Sequence, residues 1–463
     1  MIDRTTKTIL VPSWCICLVL QATLSSSGTD EVTADKVSSI HSADTVSVPS
    51  PAGSTKSGRL SRKASGWCSA CNVMALPITG TRVIKVSNES QLQSALNTIR
   101  SGDTILLAAG TYNLTKSIYI NGKDNVTIRG AAGCDDVVLA GKGMDNVNHG
   151  NVTTGIWSNS INTTIAHLTI RDTYDNEIIF NAGAQSPHVY SVKLLNAGSQ
   201  FIKSNPVDKA GGIGVNNGVV EYSWFEYTNG TPSHPGAVGY TNGISAHAVN
   251  NWVVRGNLFK NLHTPDSADF LWNPAVLMWN HSRNTITENN VFINVDRAIA
   301  YGLQDISGSD HYGGVIRNNF IYLAPDLMSQ SRRADSDAAI IVWNSPSTSV
   351  NHNTILANDN VANSIEFRFN TSGSEARNNL ADGTINLRGR ASCTQSGNYL
   401  EATKQMFVDA SSGNLHLVNN SAARSKVIDQ AEILISVPKD IDGERRPHGV
   451  SADIGADEFV PAK

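Results

Sequence analysis

The sequence is short of charge, of aromatic residues and of cysteine. Of its 463 residues, 16% are Asp, Glu, Lys or Arg, 6% are Phe, Trp or Tyr, and six are Cys. The formal net charge is −4 and there is no block of Lys and Arg, which argues against a nucleic-acid-binding protein. A hydrophobic content of 40% nevertheless supports a folded core.

Apolar runs long enough to span a bilayer are also missing. The apolar run that ends at Leu20 follows a basic start with Arg4 and Lys7, and it is too short for a membrane helix. We therefore predict a signal peptide over residues 1–23 and a secreted or periplasmic mature protein without a membrane segment. A misassigned start or a short anchor is the alternative. Residues 24–82, rich in Ser, Thr, Ala and Gly, are typical of a disordered linker.

The few cysteines do not form a recognisable metal motif. Cys68-Ser-Ala-Cys71 is a lone C-x-x-C without a second pair at zinc-finger spacing. In an exported protein we expect a structural disulfide instead.

One amphipathic helix is predicted, and it precedes a long series of strands. Asn88 can cap it, with Gln91 three residues later, and its apolar face consists of Leu92, Ala95, Leu96 and Ile99. A single helix in this position is suited to cover the open end of a stack of strands.

Short β-runs with Asn-rich turns fill the rest of the chain. Turn asparagines occur at 257, 290, 319, 353, 379 and 398, with spacings of 33, 29, 34, 26 and 19 residues. A period of this length without helices predicts an all-β solenoid, a parallel β-helix, over residues 83–459. Asn tolerates left-handed backbone angles, and stacked amides can hydrogen-bond along the coil.

Charged residues precede these asparagines in an alternating order. Glu221, Arg255, Glu288 and Arg317 are predicted to form one outward column of salt bridges. Glu288, taken alone, is a candidate catalytic carboxylate, but its position between two arginines favours a structural role.

The capping helix ending in GDTILLAAGTY, the Asn-punctuated repeats and the tail DIDGERRPHGVSADIGADEF together resemble a known superfamily. They are similar to secreted bacterial proteins of the pectate-lyase-like superfamily. The resemblance implies a single-stranded right-handed parallel β-helix with a short N-terminal capping helix. Many members are polysaccharide lyases, uronate epimerases or glycoside hydrolases acting on acidic polymers. The nearest in look are alginate- and chondroitin-type lyases, which pair Lys and Arg with calcium, although no diagnostic motif of a subfamily is present.

Candidate site residues follow from aligning the repeats on their turns. The loops 228–242, 261–274 and 303–314 are predicted to rise on one side of the coil, where loops usually carry function. Between them, Lys203, His247, Trp279 and Tyr301 fall in one predicted column, which Trp343 and Arg368 continue.

β-Elimination on a uronate needs a base, an acid and a group that neutralises the carboxylate. Lys203 or His247 is the predicted base, Tyr301 or His311 the acid, and Arg297 the neutralising group. Substrate binding is assigned to Trp279, Asp296, Trp343 and Arg368. Buried structural roles for the tryptophans and His247, and an ion pair between Asp296 and Arg297, are the alternatives.

Loop carboxylates suggest a calcium ion. Asp266, Asp269, Asp305 and Asp310 are the candidate ligands. The sequence therefore predicts a monomeric secreted lyase of a uronate-containing polysaccharide, assisted by Ca²⁺. One alternative is a glycoside hydrolase using two of Asp266, Asp296 and Asp310. The other is a non-catalytic β-helix that binds glycan or coats a surface.

Overall fold

The structure, a computed structural model, describes residues 70–131, 133–234, 239–264, 268 and 274–461. The predicted signal peptide and the linker up to residue 69 lie outside the described residues. No helix in the described part of the chain is long and apolar enough to cross a membrane.

Two parallel sheets wind together into a coil. We call the 20-stranded sheet A and the 10-stranded one sheet B, and we call one turn of the coil a rung. Each strand pairs in parallel with the equivalent strand of the next rung, as Val253–Arg255 does with Ile286–Glu288. The fold is a right-handed parallel β-helix, so the predicted fold class is confirmed.

The elements have the following bounds. The strands of sheet A are Arg82–Val86, Asp103–Leu107, Gly110–Asn113, Thr127–Gly130, Val137–Ala140, Thr164–Arg171, His188–Leu195, Val219–Glu221, Trp224–Glu226, Val253–Arg255, Leu258–Lys260, Ile286–Glu288, Val291–Ile293, Val315–Arg317, Phe320–Tyr322, Ser349–Asn351, Thr354–Leu356, Ser374–Arg377, Leu380–Ala381 and Cys393–Ser396. The strands of sheet B are Lys116–Ile120, Asn151–Ser158, Ile178–Phe180, Ile202–Ser204, Ile244–His247, Pro274–Trp279, Arg297–Tyr301, Ala338–Trp343, Asn363–Arg368 and Ile385–Arg388. Two small pairs, Ser282–Arg283 with His311–Tyr312 and Phe407–Asp409 with Asn414–Leu417, lie outside these sheets. The helices are Glu89–Thr98, Gln330–Asp335 and Ser421–Lys426, with short 3₁₀ turns at Lys404–Met406 and Ala410–Ser412.

The predicted capping helix is present as Glu89–Thr98. The side chain of Asn88 accepts a hydrogen bond from the Gln91 backbone N–H at 2.9 Å, which starts the helix as predicted. Leu92 and Ala95 are buried in the main core, so the helix contributes its apolar face to the interior of the coil.

The interior of the coil is filled by columns of apolar side chains in register. Phe225, Phe259 and Phe292 stack with ring centroids 4.5 Å and 4.8 Å apart, on three successive rungs. Such a close-packed interior is stiff, because it contains few voids into which side chains can shift. The scaffold therefore holds the outward side chains in fixed positions.

The two asparagines of each repeated Asn-Asn pair have different structural roles. The first Asn of a pair adopts the left-handed conformation, as at Asn289 and Asn318, with φ of +56° and +53°. The second is buried and donates its amide to the next rung: Asn290 Nδ2 to Asn319 Oδ1 at 3.0 Å, and Asn319 Nδ2 to Asn353 Oδ1 at 2.9 Å. This asparagine ladder continues from Asn257 to Asn398 at a corner of sheet A. The predicted structural role of these asparagines is confirmed.

The predicted charge column is also present. Glu221, Arg255, Glu288 and Arg317 lie in register on four successive rungs. Arg255 Nε bonds Glu221 Oε2 at 2.6 Å, and Arg317 Nη2 bonds Glu288 Oε2 at 2.7 Å. Glu288 is therefore a member of a salt-bridge ladder.

A segment assigned to the linker by sequence contacts sheet A. The hydroxyl of Tyr190 donates to the Met74 carbonyl at 2.8 Å, and the Leu76 N–H donates to His167 Nε2 at 2.9 Å. A disulfide joins Cys71 to Cys134, 63 residues further along the chain. The C-x-x-C motif therefore supplies one half of a long-range structural disulfide.

The C-terminal tail packs on another outer surface of sheet A. Phe407, Leu415 and Leu417 form an apolar cluster with Phe320 and Leu380 of the sheet. The N-terminal segment 70–81 and the C-terminal tail therefore both contact sheet A, whereas Lys203, His247 and Trp279 of the predicted site belong to sheet B.

Candidate active site on the outer face of sheet B

The strand register of sheet B separates Lys203 from His247. Lys203 is opposite Ser245, and His247, two residues further along the strand, is opposite Trp279. Ile202, Ile244 and Ala246 face the core, so the alternation of the strand turns Lys203, Ser245 and His247 outward. The predicted column is therefore two adjacent outward columns, one with Lys203 and one with His247 and Trp279.

Tyr301 does not belong to either column, which corrects the prediction. It is in register with Met278 and Val342, it is fully buried, and its hydroxyl donates to Thr287 Oγ1 at 3.0 Å. The alignment on turns was wrong by one residue at this rung, and a shift of one residue moves a strand side chain to the other face. The position after Tyr301 is Gly302, so no side chain continues the outward column here.

His311, the other predicted acid, is inside the coil as well. Its ring bonds the hydroxyls of Thr285 and Ser345, both at 2.9 Å, and lies 4.3 Å from the Tyr301 ring. Burial lowers its pKa to about 3. The structure therefore places neither predicted acid next to Lys203 and His247.

His247 is held as a neutral imidazole. Its Nδ1 accepts a hydrogen bond from the Asn280 side-chain amide at 2.7 Å, and its ring packs against Trp279 with centroids 4.8 Å apart. Burial, reinforced by the charges of Lys209 and Lys203, lowers its pKa to about 3. Because Nδ1 is an acceptor, the neutral ring carries its proton at Nε2. In this arrangement His247 presents an Nε2–H donor, and the role of base that the sequence predicted for it stays untested.

Two lysines and one aspartate complete the charged part of the site. Lys209 lies on the loop after the strand of Lys203, with its Nζ 5.4 Å from the centroid of the Trp279 ring. Burial raises the pKa of Asp175, and the charge of Lys203 opposes that rise. Among the described residues, no carboxylate lies within ion-pair distance of either lysine. Both ammonium groups are thus available to an anionic ligand.

A stack of three rings stands beside Asp175. His149, Tyr174 and His234 lie parallel, with successive centroids 4.3 Å apart. His234 Nε2 donates to the carbonyls of Tyr174 and Gly198, at 3.1 and 3.0 Å, which fixes its ring. Sequence reasoning missed this stack, because its members come from three separate loops with no shared motif.

An aromatic stripe leads along sheet B to Lys203. Tyr119, Trp157 and Ile179 occupy the column of Lys203 on the three preceding rungs. The rings of Tyr119 and Trp157 are 5.9 Å apart, and Tyr119 is 55% exposed. These rings were not part of the predicted column, which began at Lys203, although the period of the repeat continues through them.

Arg297 and Asp296 have partners elsewhere. Asp296 accepts hydrogen bonds from His263 Nδ1 at 2.9 Å and from the Thr264 backbone at 2.6 Å. Arg297 is buried and bonds Asp337 at 2.5 Å. Neither lies with Lys203, so the predicted roles in binding and carboxylate neutralisation do not combine with that residue.

Two of the four loop carboxylates predicted as calcium ligands are described, and both have other partners. Asp310 is buried and accepts backbone hydrogen bonds from Asn280, Leu303 and Gln304 at 2.5, 2.6 and 2.8 Å. Asp305 is exposed and lies 3.6 Å from Arg390, whereas Asp266 and Asp269 lie outside the described residues. Asp310 thus has its oxygens bonded to backbone donors, and calcium binding by the loops stays a prediction. The buried state of Asp296 and Asp310 argues against their use as the predicted hydrolase pair.

A second group of polar and aromatic residues lies further along sheet B. Trp343 is opposite Arg368, as predicted, and Arg368 is opposite Arg388. Leu277, Ala300 and Ile341 are buried on the outer side of the intervening strands. This cover separates the group around Arg368 from the site around Lys203.

Three solved structures illustrate what this chain is similar to. An alginate lyase from Paenibacillus sp. is 20% identical, with a TM-score of 0.45 over 68% of this chain and 98% of that chain. A polygalacturonase from Erwinia carotovora ssp. carotovora is 11% identical, with a TM-score of 0.41 over 70% of this chain and 99% of that chain. A surface adhesin of Streptococcus pneumoniae is 14% identical, with a TM-score of 0.38 over 67% and 86%.

No protein-family model and no curated protein matches the chain. The similar structures thus include an alginate lyase, a polygalacturonase and a surface adhesin. A fold by itself does not determine an activity, so the activity is argued from the site.

Proposed function

We propose that this protein is a polysaccharide lyase that cleaves a uronate-containing polymer by β-elimination. One observation carries the proposal: two lysines without a carboxylate partner among the described residues lie beside a neutral histidine on an outer sheet face. That face continues into the aromatic rings of Tyr119 and Trp157. Cations next to aromatic rings suit a polymer whose sugars carry carboxylates.

The carboxylate of the uronate is assigned to Lys209 and His247. Lys209 supplies a full positive charge, and His247 donates from Nε2 because Asn280 holds its Nδ1 as an acceptor. As the C5 proton leaves, negative charge spreads onto this carboxylate. Donors fixed in advance stabilise that charge without having to reorganise.

Proton transfer is assigned to Lys203. In its neutral form Lys203 Nζ removes the C5 proton, the electron pair forms the C4–C5 double bond, and the C4–oxygen bond breaks. The resulting ammonium group returns the proton to the departing glycosidic oxygen. A single group can perform both steps when both bonds lie on the same face of the sugar. This assignment replaces Tyr301 and His311, which lie inside the coil.

The test is ultraviolet absorbance of the unsaturated uronate product with alginate, pectate and chondroitin, each with calcium and with a chelator. We expect absorbance to rise on one polymer. In K203M the rate should fall by about 10²–10⁴-fold, the range for loss of an acid–base group. K260M is the matched control, because Lys260 lies on sheet A and is paired with Glu226 at 2.9 Å. Its rate should equal that of the wild-type protein.

Two results would contradict this proposal. New reducing ends without absorbance would indicate a hydrolase, and the absence of both products would leave a β-helix that binds glycan without cleaving it. Equal rates in K203M and the wild-type protein would reject the assignment of Lys203 even if a lyase activity is present.

A further inference from the structure

The region around Arg368 and Phe369 has the features of a second ligand site. It lies five strands beyond Lys203 along sheet B, about 24 Å at the usual spacing of strands. We infer that it binds a carboxylate-bearing sugar of an acidic polysaccharide and does not cleave it. The ligand class rests on the proposed function, whereas the geometry of the site does not.

The first observation is a strained turn. The residue that follows each sheet B strand from Ile244–His247 onward has a positive φ, and the residues at this position are Ala248, Asn280, Gly302, Asn344, Phe369 and Gly389. Phe369 has a φ of +61°. Gly and Asn tolerate this conformation, but for a bulky residue it costs of order 1–3 kcal/mol. Phe369 is therefore retained at this turn at the expense of local stability.

The second observation is what the ring of Phe369 contacts. The guanidinium carbon of Arg368 lies 4.3 Å from the Phe369 ring centroid and 4.7 Å from the Trp343 ring centroid. The two rings are 5.7 Å apart and nearly perpendicular, at 80°. The strained residue thus holds the guanidinium group of Arg368 against two aromatic faces.

The third observation is that the carboxylates near Arg368 are bonded to other arginines. Asp337 bonds Arg297 at 2.5 Å and Arg388 at 3.0 Å, and Glu366 lies 3.3 Å from Arg388. Two carboxylates are thereby shared between two arginines. For Arg368, no hydrogen-bond acceptor is found among the residues that the structure describes. One guanidinium group therefore keeps its N–H donors for a ligand.

These features define the ligand. A guanidinium group that is stacked on aromatic rings presents its N–H edge, which matches the two oxygens of a carboxylate. The exposed part of the Phe369 ring is an apolar surface on which the face of a sugar can pack. A uronate offers both groups, and the buried outer cluster of Leu277, Ala300 and Ile341 keeps this site apart from Lys203.

The experiment is calorimetric titration of hexameric alginate and pectate oligosaccharides into the full chain carrying K203M, which prevents cleavage. R368Q and F369N are compared with R390Q, a control that removes an equal charge from an exposed neighbour, 71% accessible at its side chain. We expect two binding events, one at Lys209 and His247 and one at Arg368, and R368Q should weaken the second by about 10–100-fold, as expected for loss of a charged hydrogen-bond pair. R390Q should bind with unchanged affinity, and a neutral hexasaccharide should bind to none of the proteins.

F369N separates a ligand site from a purely structural cluster. For a ligand site, F369N weakens binding while the thermal midpoint stays the same or rises, because Asn relieves the strained turn. A lower midpoint with unchanged binding would overturn the inference, as would equal affinities of R368Q and R390Q. Binding is read without cleavage, so a failure of the proposed lyase activity would leave this result interpretable.

Discussion

The outer faces of the two sheets use charge in opposite ways. On sheet A, Glu221, Arg255, Glu288 and Arg317 neutralise one another from rung to rung. On sheet B, Lys203 and Arg368 have no such partner among the described residues. In both sheets the strands pair in register, so equivalent side chains of successive rungs lie next to one another. A charged column is therefore a structural feature where its charges alternate and a candidate ligand site where a cation is left over.

The largest expected effect comes from comparing an outward histidine of sheet B with a buried one. Both histidines have depressed pKa values. His247 faces outward on sheet B, whereas His311 is fully buried between Thr285 and Ser345. We expect H247A to lower kcat by about 10²–10³-fold, the usual effect of removing one fixed donor to the developing charge. H247A should leave the thermal midpoint nearly unchanged. Both effects are measured by the absorbance assay and by thermal unfolding.

H311A is the matched control and should show the opposite behaviour. It leaves a cavity and unpaired hydroxyls inside the coil. We expect this to lower the free energy of unfolding by about 2–4 kcal/mol. The folded fraction should keep its kcat. If H311A instead abolished the activity of a stably folded protein, the assignment of His311 to the interior framework would be wrong.

The asparagine ladder provides the next largest expected effect. Asn319 accepts from the side chain of Asn290 at 3.0 Å and donates to Asn353 at 2.9 Å and to the Thr287 carbonyl at 3.0 Å. N319A leaves buried polar groups unpaired, so we expect a loss of about 2–4 kcal/mol in stability. Thermal unfolding measures it. N289G, at the left-handed position of the preceding rung, is the comparison and should cost much less, because Gly adopts that conformation readily.

The charge ladder of sheet A should be the least sensitive. E288Q removes one charge between Arg255 and Arg317, which are partly exposed to solvent. We expect a loss below about 1 kcal/mol and no change in kcat, since solvent screens such pairs. A large loss of activity in E288Q would move the catalytic centre to sheet A and would contradict the proposed function.

The sequence predicted those parts of the fold that repeat. The spacing of Asn257, Asn290 and Asn319 led to the coil, the ladder and the register of Glu288, because each is repeated on several rungs. The placement of Tyr301 was wrong, because a loop of variable length precedes the next strand and leaves the register uncertain by one residue. The disulfide partner of Cys71 was likewise not deducible from a local motif.

The candidate site was predicted in part. Lys203, His247 and Trp279 lie on the outer face, and Trp343 is opposite Arg368 as the alignment required. Arg297, Asp296 and Asp310 were chosen for their chemistry, but their neighbours hold them in other bonds. A lone sequence shows which side chains can react and does not show which of them are already satisfied.

What the sequence determined by itself is the architecture: a helix that covers one end, a period of strands, and the amides and charges that join rung to rung. These features depend on residues a fixed distance apart, so local periodicity suffices to infer them. The tertiary structure alone decided which face each chemical group occupies, which carboxylates are already bonded, and that His149, Tyr174 and His234 stack. Those outcomes depend on loops of unequal length that bring distant residues together, and no local pattern encodes such contacts.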